Sequence, residues 1–153
     1  MSGLGLVGVG IDVVDLERFR TVINRTPSMV ERIFTDAERE YSLRLPDPTE
    51  RLAVRFAAKE AVMKAMGVGL GSCTLAHIEV VRSEEGQPSV VLHETAERVA
   101  EAAGVGGWRL SLTHSGSMAQ AIALALGPAL GTDTSVPRDI AVAPSTTATP
   151  PRP

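Results

Sequence analysis

The residues best equipped for chemistry fall in a few short stretches. Leu4-Gly-Leu-Val-Gly-Val-Gly-Ile-Asp12 ends on a carboxylate. Arg55-Phe-Ala-Ala-Lys-Glu-Ala-Val-Met-Lys64 is followed by the glycine-rich Gly67-Val-Gly-Leu-Gly-Ser72. Glu60 and Lys64, four apart, share one side of a helix. The loop after them sets backbone N–H groups beside the Lys64 ammonium, the makings of a phosphate cradle in which Gly67 comes first. Trp108-Arg-Leu-Ser-Leu-Thr-His114 leaves an imidazole at a strand end before a Ser-Gly-Ser turn, placed to project into a cleft. Arg18, Arg20, Arg25 and Arg32 fall within 15 residues, with Glu17 and Glu31 among them. They form either a solvated face or a basic patch that steers an acidic partner.

Certain elements must position these groups. Three glycines in one strand need a reason. With period two, Gly8, Gly10 and Asp12 point to one face and Val7, Val9 and Ile11 to the other, so a second backbone can approach the glycine face and Asp12 stands at its end. Asp12 could instead cap a helix. Asp15 competes for that job, being placed just before the amphipathic run Leu16–Asn24. The glycines lack the spacing of a dinucleotide-binding fingerprint.

After the Pro46-Asp-Pro48 turn a helix is expected from near Thr49, capped by Asp47 or Thr49 and ended by Gly67. About 18 residues give a rod of roughly 27 Å, enough to cross a small domain. Val54, Ala57, Ala61 and Ala65 make one small apolar stripe along it. Ala119, Ala121, Ala123 and Ala125 alternate along a last strand and are its candidate partner. Thr35 and Glu38 match a capping box and are read as no more than a cap. Ala76–Arg82 and Pro88–His93 read as a hairpin, which puts His77 and His93 in strands with structural roles. Glu94–Ala103 reads as a short helix closed by Gly104.

Of the 153 residues, 44% are hydrophobic, 22% charged and only 3% aromatic, so the core must be aliphatic and alanine-rich. A net charge of −3 gives no support for general nucleic-acid binding. Cys73 is the single cysteine, which excludes an internal disulfide and a cysteine-rich zinc site. No apolar run reaches the roughly 20 residues of a membrane span, and the first residues lack the basic region of a signal peptide. A cytoplasmic protein is expected. Residues 1–127 are read as one domain, and 128–153, rich in Pro, Ser, Thr and Ala, as a disordered tail.

Gly8-Val-Gly-Ile-Asp12, Arg55-Phe-Ala-Ala-Lys-Glu-Ala-Val-Met-Lys64 and Ser111-Leu-Thr-His-Ser115, in this order and spacing, resemble one family. It is the holo-acyl-carrier-protein synthases, the small bacterial 4'-phosphopantetheinyl transferases. The likeness runs from about residue 5 to 126. The Arg55–Ala61 block is highly specific, and the other motifs are weak alone. The resemblance implies an α+β fold, with antiparallel sheet on a long helix in two pseudo-repeated halves. It implies magnesium-dependent transfer of 4'-phosphopantetheine from coenzyme A to a serine of apo-acyl carrier protein, with release of 3',5'-ADP.

Asp12 and Glu60 match the family's magnesium carboxylates. Glu60 is also a candidate general base toward the serine, directly or through water. Arg55, Lys64 and His114 match positions used around the coenzyme A phosphates. Carrier proteins of the family are acidic near their serine, which assigns Arg18 and Arg25 to docking. The short family form is typically trimeric, with sites between subunits. His77 stands where the family often has Asp, and Ser115-Gly-Ser-Met118 departs from its usual charged and aromatic residues. A non-catalytic carrier or coenzyme A binding module is the alternative, and it leaves the carboxylate pair without a use. A purely structural oligomeric domain is a third reading, which leaves the glycine face, Glu60 and His114 unexplained.

Overall fold

The computed structural model describes residues 4–128. Strand β1 (Leu4–Asp15) leads into α1 (Leu16–Arg25), α2 (Ser28–Ile33), α3 (Asp36–Ser42) and the long α4 (Thr49–Ala65). After one 3-10 turn at Leu75–His77 come β2 (Ile78–Arg82), β3 (Pro88–Leu92), α5 (Glu94–Ala102), β4 (Gly107–Ser115) and β5 (Met118–Pro128). A helix followed by an antiparallel hairpin thus occurs twice, as α4 with β2–β3 and as α5 with β4–β5. The larger sheet has the order β1-β5-β4, antiparallel throughout. The α+β reading with a sheet on one long helix is what is observed.

The sheet packs on α4 through small residues on both sides. Ala57, Ala61, Ala119, Ala123 and Ala125 are fully buried, and Ala65 and Ala121 nearly so. Gly8 pairs with Ala125 and Gly10 with Ala123, which carries the small face onto β1. A methyl group on Gly8 would sit 2.0 Å from the Ala65 carbonyl oxygen, and one on Gly10 1.8 Å from that of Ala61. Helix and strand touch backbone to backbone, which only glycine permits here.

Asp15 caps α1, accepting the Arg18 amide at 2.8 Å. Asp47, not Thr49, takes the first amide of α4, at 3.0 Å. Gly67, at φ +72°, ends that helix, and Gly104, at φ +74°, follows α5.

Three expectations are corrected. His77 closes the 3-10 turn and His93 sits at the N-cap of α5, so neither lies in a strand. Pairing of β2 with β3 starts only at Ile78–Leu92; the His77 side chain reaches the first turn of α5, and that of His93 reaches back to β2. His77 Nδ1 lies 2.8 Å from Thr95 Oγ1, and His93 Nε2 lies 2.8 Å from Glu79 Oε2. Pro128, assigned to the tail, is the last residue of β5 and pairs with Leu4. The rest of the expected tail lies outside the described residues.

Glu38 is the third correction. The capping box with Thr35 is present, yet the same carboxylate is buried and does more. Its Oε2 accepts the Lys59 ammonium at 2.8 Å and its Oε1 the Val80 amide at 2.9 Å. Lys59 is fully buried and also donates to the carbonyls of Leu75, at 3.0 Å, and Ile78. Burial pushes the Lys59 ammonium below its ordinary range and Glu38 opposes that shift. This one pair fastens α3, α4, β2 and the 3-10 turn together.

Candidate active site

The shared small face decides which side chains meet. Asp12, two residues beyond Gly10, stays on the α4 side of β1, and Glu60 and Lys64 rise from the facing stretch of helix. Lys64 Nζ donates to Asp12 Oδ1 at 2.8 Å and to the Ile11 carbonyl at 2.9 Å. An ammonium has three protons, so one remains for a ligand. Asp12 and Glu60 both line a cleft of about 560 Å³ whose other walls include Arg18, Phe19, Met29, Phe56, Leu70 and Leu75. Phe19 and Phe56 lie with ring centroids 5.6 Å apart.

The cleft leaves Glu60 electrostatically short. Burial raises its proton affinity, the Asp12 carboxylate raises it further, and Lys64 offsets part of the effect. Its Oε1 is buried without a hydrogen-bond partner. A polar atom left so is costly unless something fills the place. Two carboxylates, one of them with an unpartnered oxygen, make a hard-oxygen donor set. Among the described residues no third His, Cys, Asp or Glu joins it. Such a set fits magnesium, which takes few protein carboxylates and keeps water or phosphate oxygens for the rest.

The glycine loop is less open than its sequence suggests. The Gly67 amide is used on the Lys64 carbonyl at 3.0 Å, that of Val68 on Met63 and that of Ser72 on Gly69. Gly67 therefore turns the chain rather than offering its own N–H. The amides of Gly69, Leu70 and Gly71 have no partner among the described residues.

Two residues of the expected constellation stand elsewhere. Arg55 is 3% exposed, on another side of α4. It stacks on Tyr41 at 4.3 Å, donates to the Arg51 carbonyl, and borders a separate hollow with Glu79 and Arg82. Burial lowers its proton affinity. His114 sits on the opposite edge strand of the sheet, two register positions beyond the Asp12–Ala121–Leu112 row, where Nδ1 lies 3.2 Å from Glu50 Oε1 in the first turn of α4. Neither lines the carboxylate cleft. Of the basic patch, Arg20 is spent on Glu17 and Asp47, while Arg18 enters the cleft wall and Arg25 ends α1 exposed.

Sequence reasoning passed over Lys59, Glu50 and Tyr41. The adjacent Lys-Glu pair in the helix was a usable signal, because neighbours 100° apart on a buried helix cannot both reach solvent.

Comparison with known proteins gives the family. The family model described as the 4'-phosphopantetheinyl transferase superfamily matches residues 8–123. The chain belongs to that superfamily. The transferase is 44% identical over 119 residues to a holo-[acyl-carrier-protein] synthase from Moorella thermoacetica, covering 78% of this chain and 93% of the relative. To the synthase from Micrococcus luteus it is 45% identical over 122 residues, covering 78% and 91%. Among solved structures it is similar to a holo-(acyl-carrier-protein) synthase from Bacillus anthracis in complex with CoA (3',5'-ADP). That likeness has a TM-score of 0.67 and 32% identity, covering 80% of this chain and 97% of the other. The synthase from Mycobacterium tuberculosis gives a TM-score of 0.61 at 35% identity, covering 81% and 99%. The chain is a transferase of the holo-[acyl-carrier-protein] synthase type.

Proposed function

We propose that this transferase moves 4'-phosphopantetheine from coenzyme A to a serine of an apo-acyl carrier protein, with magnesium, releasing 3',5'-ADP. The observation that carries the reading is the Asp12–Glu60 pair. Two carboxylates share one cleft, one with a buried oxygen lacking a partner, next to a lysine with a free proton. A binding module has no need of that pair. Magnesium held there would neutralise charge on the coenzyme A pyrophosphate and polarise the attacked phosphorus.

The chain's own residues do the rest. Lys64 directs its remaining N–H to a phosphate oxygen, and the Gly69–Gly71 amides add donors beside it. Glu60 receives the serine proton, directly or through a water. The apolar cleft wall excludes water from the attacked phosphorus. Arg18, at the cleft, and Arg25, two turns further along the same face of α1, receive the acidic carrier.

His114 and Arg55 keep their assignment to the coenzyme A phosphates, delivered from a neighbouring subunit. Neither lines the carboxylate cleft, which supports a site built across a boundary. So does the outer sheet face, where Val9, Ile11 and Val13 are 51%, 57% and 46% exposed beside Leu4 and Leu6. Contiguous exposed apolar surface of this kind marks an interface. A homotrimer follows the family form. No helix among the described residues is long and apolar enough to cross a membrane, in keeping with a cytoplasmic enzyme. The test is asymmetric: Asp12→Ala or Glu60→Ala should stop transfer while the chain stays folded by circular dichroism. Turnover near that of the parent chain at saturating magnesium refutes the pair.

A further inference from the structure

We infer that Lys59 is a positioning residue for coenzyme A: its buried ammonium ties the far end of the glycine loop to the turn of α4 that carries Glu60. The inference rests on the reading that the Gly69, Leu70 and Gly71 amides meet the coenzyme's phosphates. Residues 67–74 leave α4 and return at the 3-10 turn, Leu75–His77. At the near end the Gly67 amide bonds the Lys64 carbonyl at 3.0 Å and the Val68 amide that of Met63 at 3.1 Å. At the far end the Lys59 ammonium donates to the carbonyls of Leu75, at 3.0 Å, and Ile78. The Thr74 amide is taken by Thr95 Oγ1 at 3.1 Å, so Thr95 ties this return to α5 and Lys59 ties it to α4. Leu70 in the loop and Leu75 at its end line the carboxylate cleft with Glu60.

Stability alone does not call for a lysine here. The pair is sealed, with the side chains of Lys59 and Glu38 0% and 1% exposed. Apolar side chains of similar volume in place of such a pair are often neutral or stabilising. What they cannot do is hold backbone carbonyls. The ammonium has three protons and meets three acceptors, Glu38 Oε2 and the two carbonyls at the turn. Helix geometry then couples this tie to the cleft. Lys59 and Glu60 are neighbours about 100° apart, so one reaches the buried turn while the other faces the cleft. The metal carboxylate and the phosphate loop are thereby set from adjacent residues of one rigid helix.

The experiment varies coenzyme A and carrier separately and follows amide hydrogen exchange, all well below the melting points. The full chain is measured beside Glu38→Gln and the double variant Lys59→Met with Glu38→Gln. Glu38→Gln keeps Lys59, whose amine has two protons for the two carbonyls even when neutral. Its coenzyme A KM should stay near that of the parent chain while its melting temperature falls. The double variant loses the tie. Its coenzyme A KM should rise about fivefold, the scale of one hydrogen bond, with the carrier KM nearly unchanged. The Ser72 and His77 amides, which bond the Gly69 and Thr74 carbonyls at 3.2 and 2.9 Å, should lose exchange protection in the double variant alone. A role in stability only lowers the folded fraction, and kcat with it, while both KM values stay; that outcome overturns the inference. So does an equal coenzyme A KM in the two variants, or a loop as protected in the double variant as in the parent. If the amides lose protection and the coenzyme A KM does not move, Lys59 ties the loop but the loop does not meet the phosphates, and the positioning role falls with that reading. A parent chain that modifies no carrier refutes the proposed function, and the inference with it.

Discussion

Gly10→Ala joins packing to catalysis in one substitution. The added methyl would lie 1.8 Å from the Ala61 carbonyl oxygen and 2.8 Å from the Ala65 nitrogen, all of it backbone. A carbon–oxygen contact needs roughly 3.3 Å, so α4 must retreat from β1 by about 1.5 Å. No side chain can give way instead. Overpacking of this kind costs about 1–3 kcal/mol. The loss of backbone freedom in the unfolded chain returns at most about 1 kcal/mol. A net loss of about 1–2 kcal/mol should lower the melting temperature by roughly 2–8 °C. Activity should fall further than stability does. Gly10 is two residues from Asp12 and Ala61 one from Glu60, so the same retreat separates the carboxylates. A displacement of about 1 Å at reacting groups costs on the order of a hundredfold. Thermal unfolding and the initial rate of carrier modification, measured well below both melting points, read the two effects separately. Gly106→Ala, whose methyl would meet nothing within 4 Å, is the control. If Gly10→Ala melts and turns over like that control, the backbone contact and the argument from it are wrong.

Other expectations are simpler. Lys59→Met leaves the Glu38 carboxylate buried without its cation and should cost about 3–5 kcal/mol, with Glu38→Gln in the same chain recovering part of the loss in chemical denaturation. Full stability of Lys59→Met refutes the buried pair. Glu60→Gln and His114→Ala chains, each inactive or nearly so, should regain roughly a quarter of parent activity when unfolded and refolded together, because random assembly rebuilds that share of boundary sites; no recovery means both groups act within one subunit. Arg18→Glu with Arg25→Glu should raise the carrier KM, less so as salt increases, and spare that of coenzyme A. An effect on coenzyme A alone moves the patch to the nucleotide site.

What could be read from the sequence was what local periodicity encodes. The face shared by Gly8, Gly10 and Asp12, the alanine stripes, and the capping residues Asp15 and Thr35 each follow from spacing along one element, and the structure has them there. Short and tertiary features were not legible. Helix α2 spans six residues, too few to show a period. His77 and His93 continue alternating runs, and only the docking of α5 against the 3-10 turn takes them out of the strands. Lys59 reads as a surface cation until α3 brings Glu38 to it, 21 residues away. Arg55 and Glu60, five apart, stand roughly 140° around the helix. Their motif is contiguous in sequence, yet they face different hollows. The separation was implicit in helix geometry, but its meaning depends on what covers each side.

The most direct measurement is the intact mass of a panel of apo-acyl carrier proteins incubated with coenzyme A, magnesium and this chain. The account predicts a mass gain equal to one phosphopantetheine on at least one carrier, abolished by Asp12→Ala, by Glu60→Ala and by chelation of magnesium. No gain on any carrier, or a gain that survives loss of either carboxylate, contradicts it.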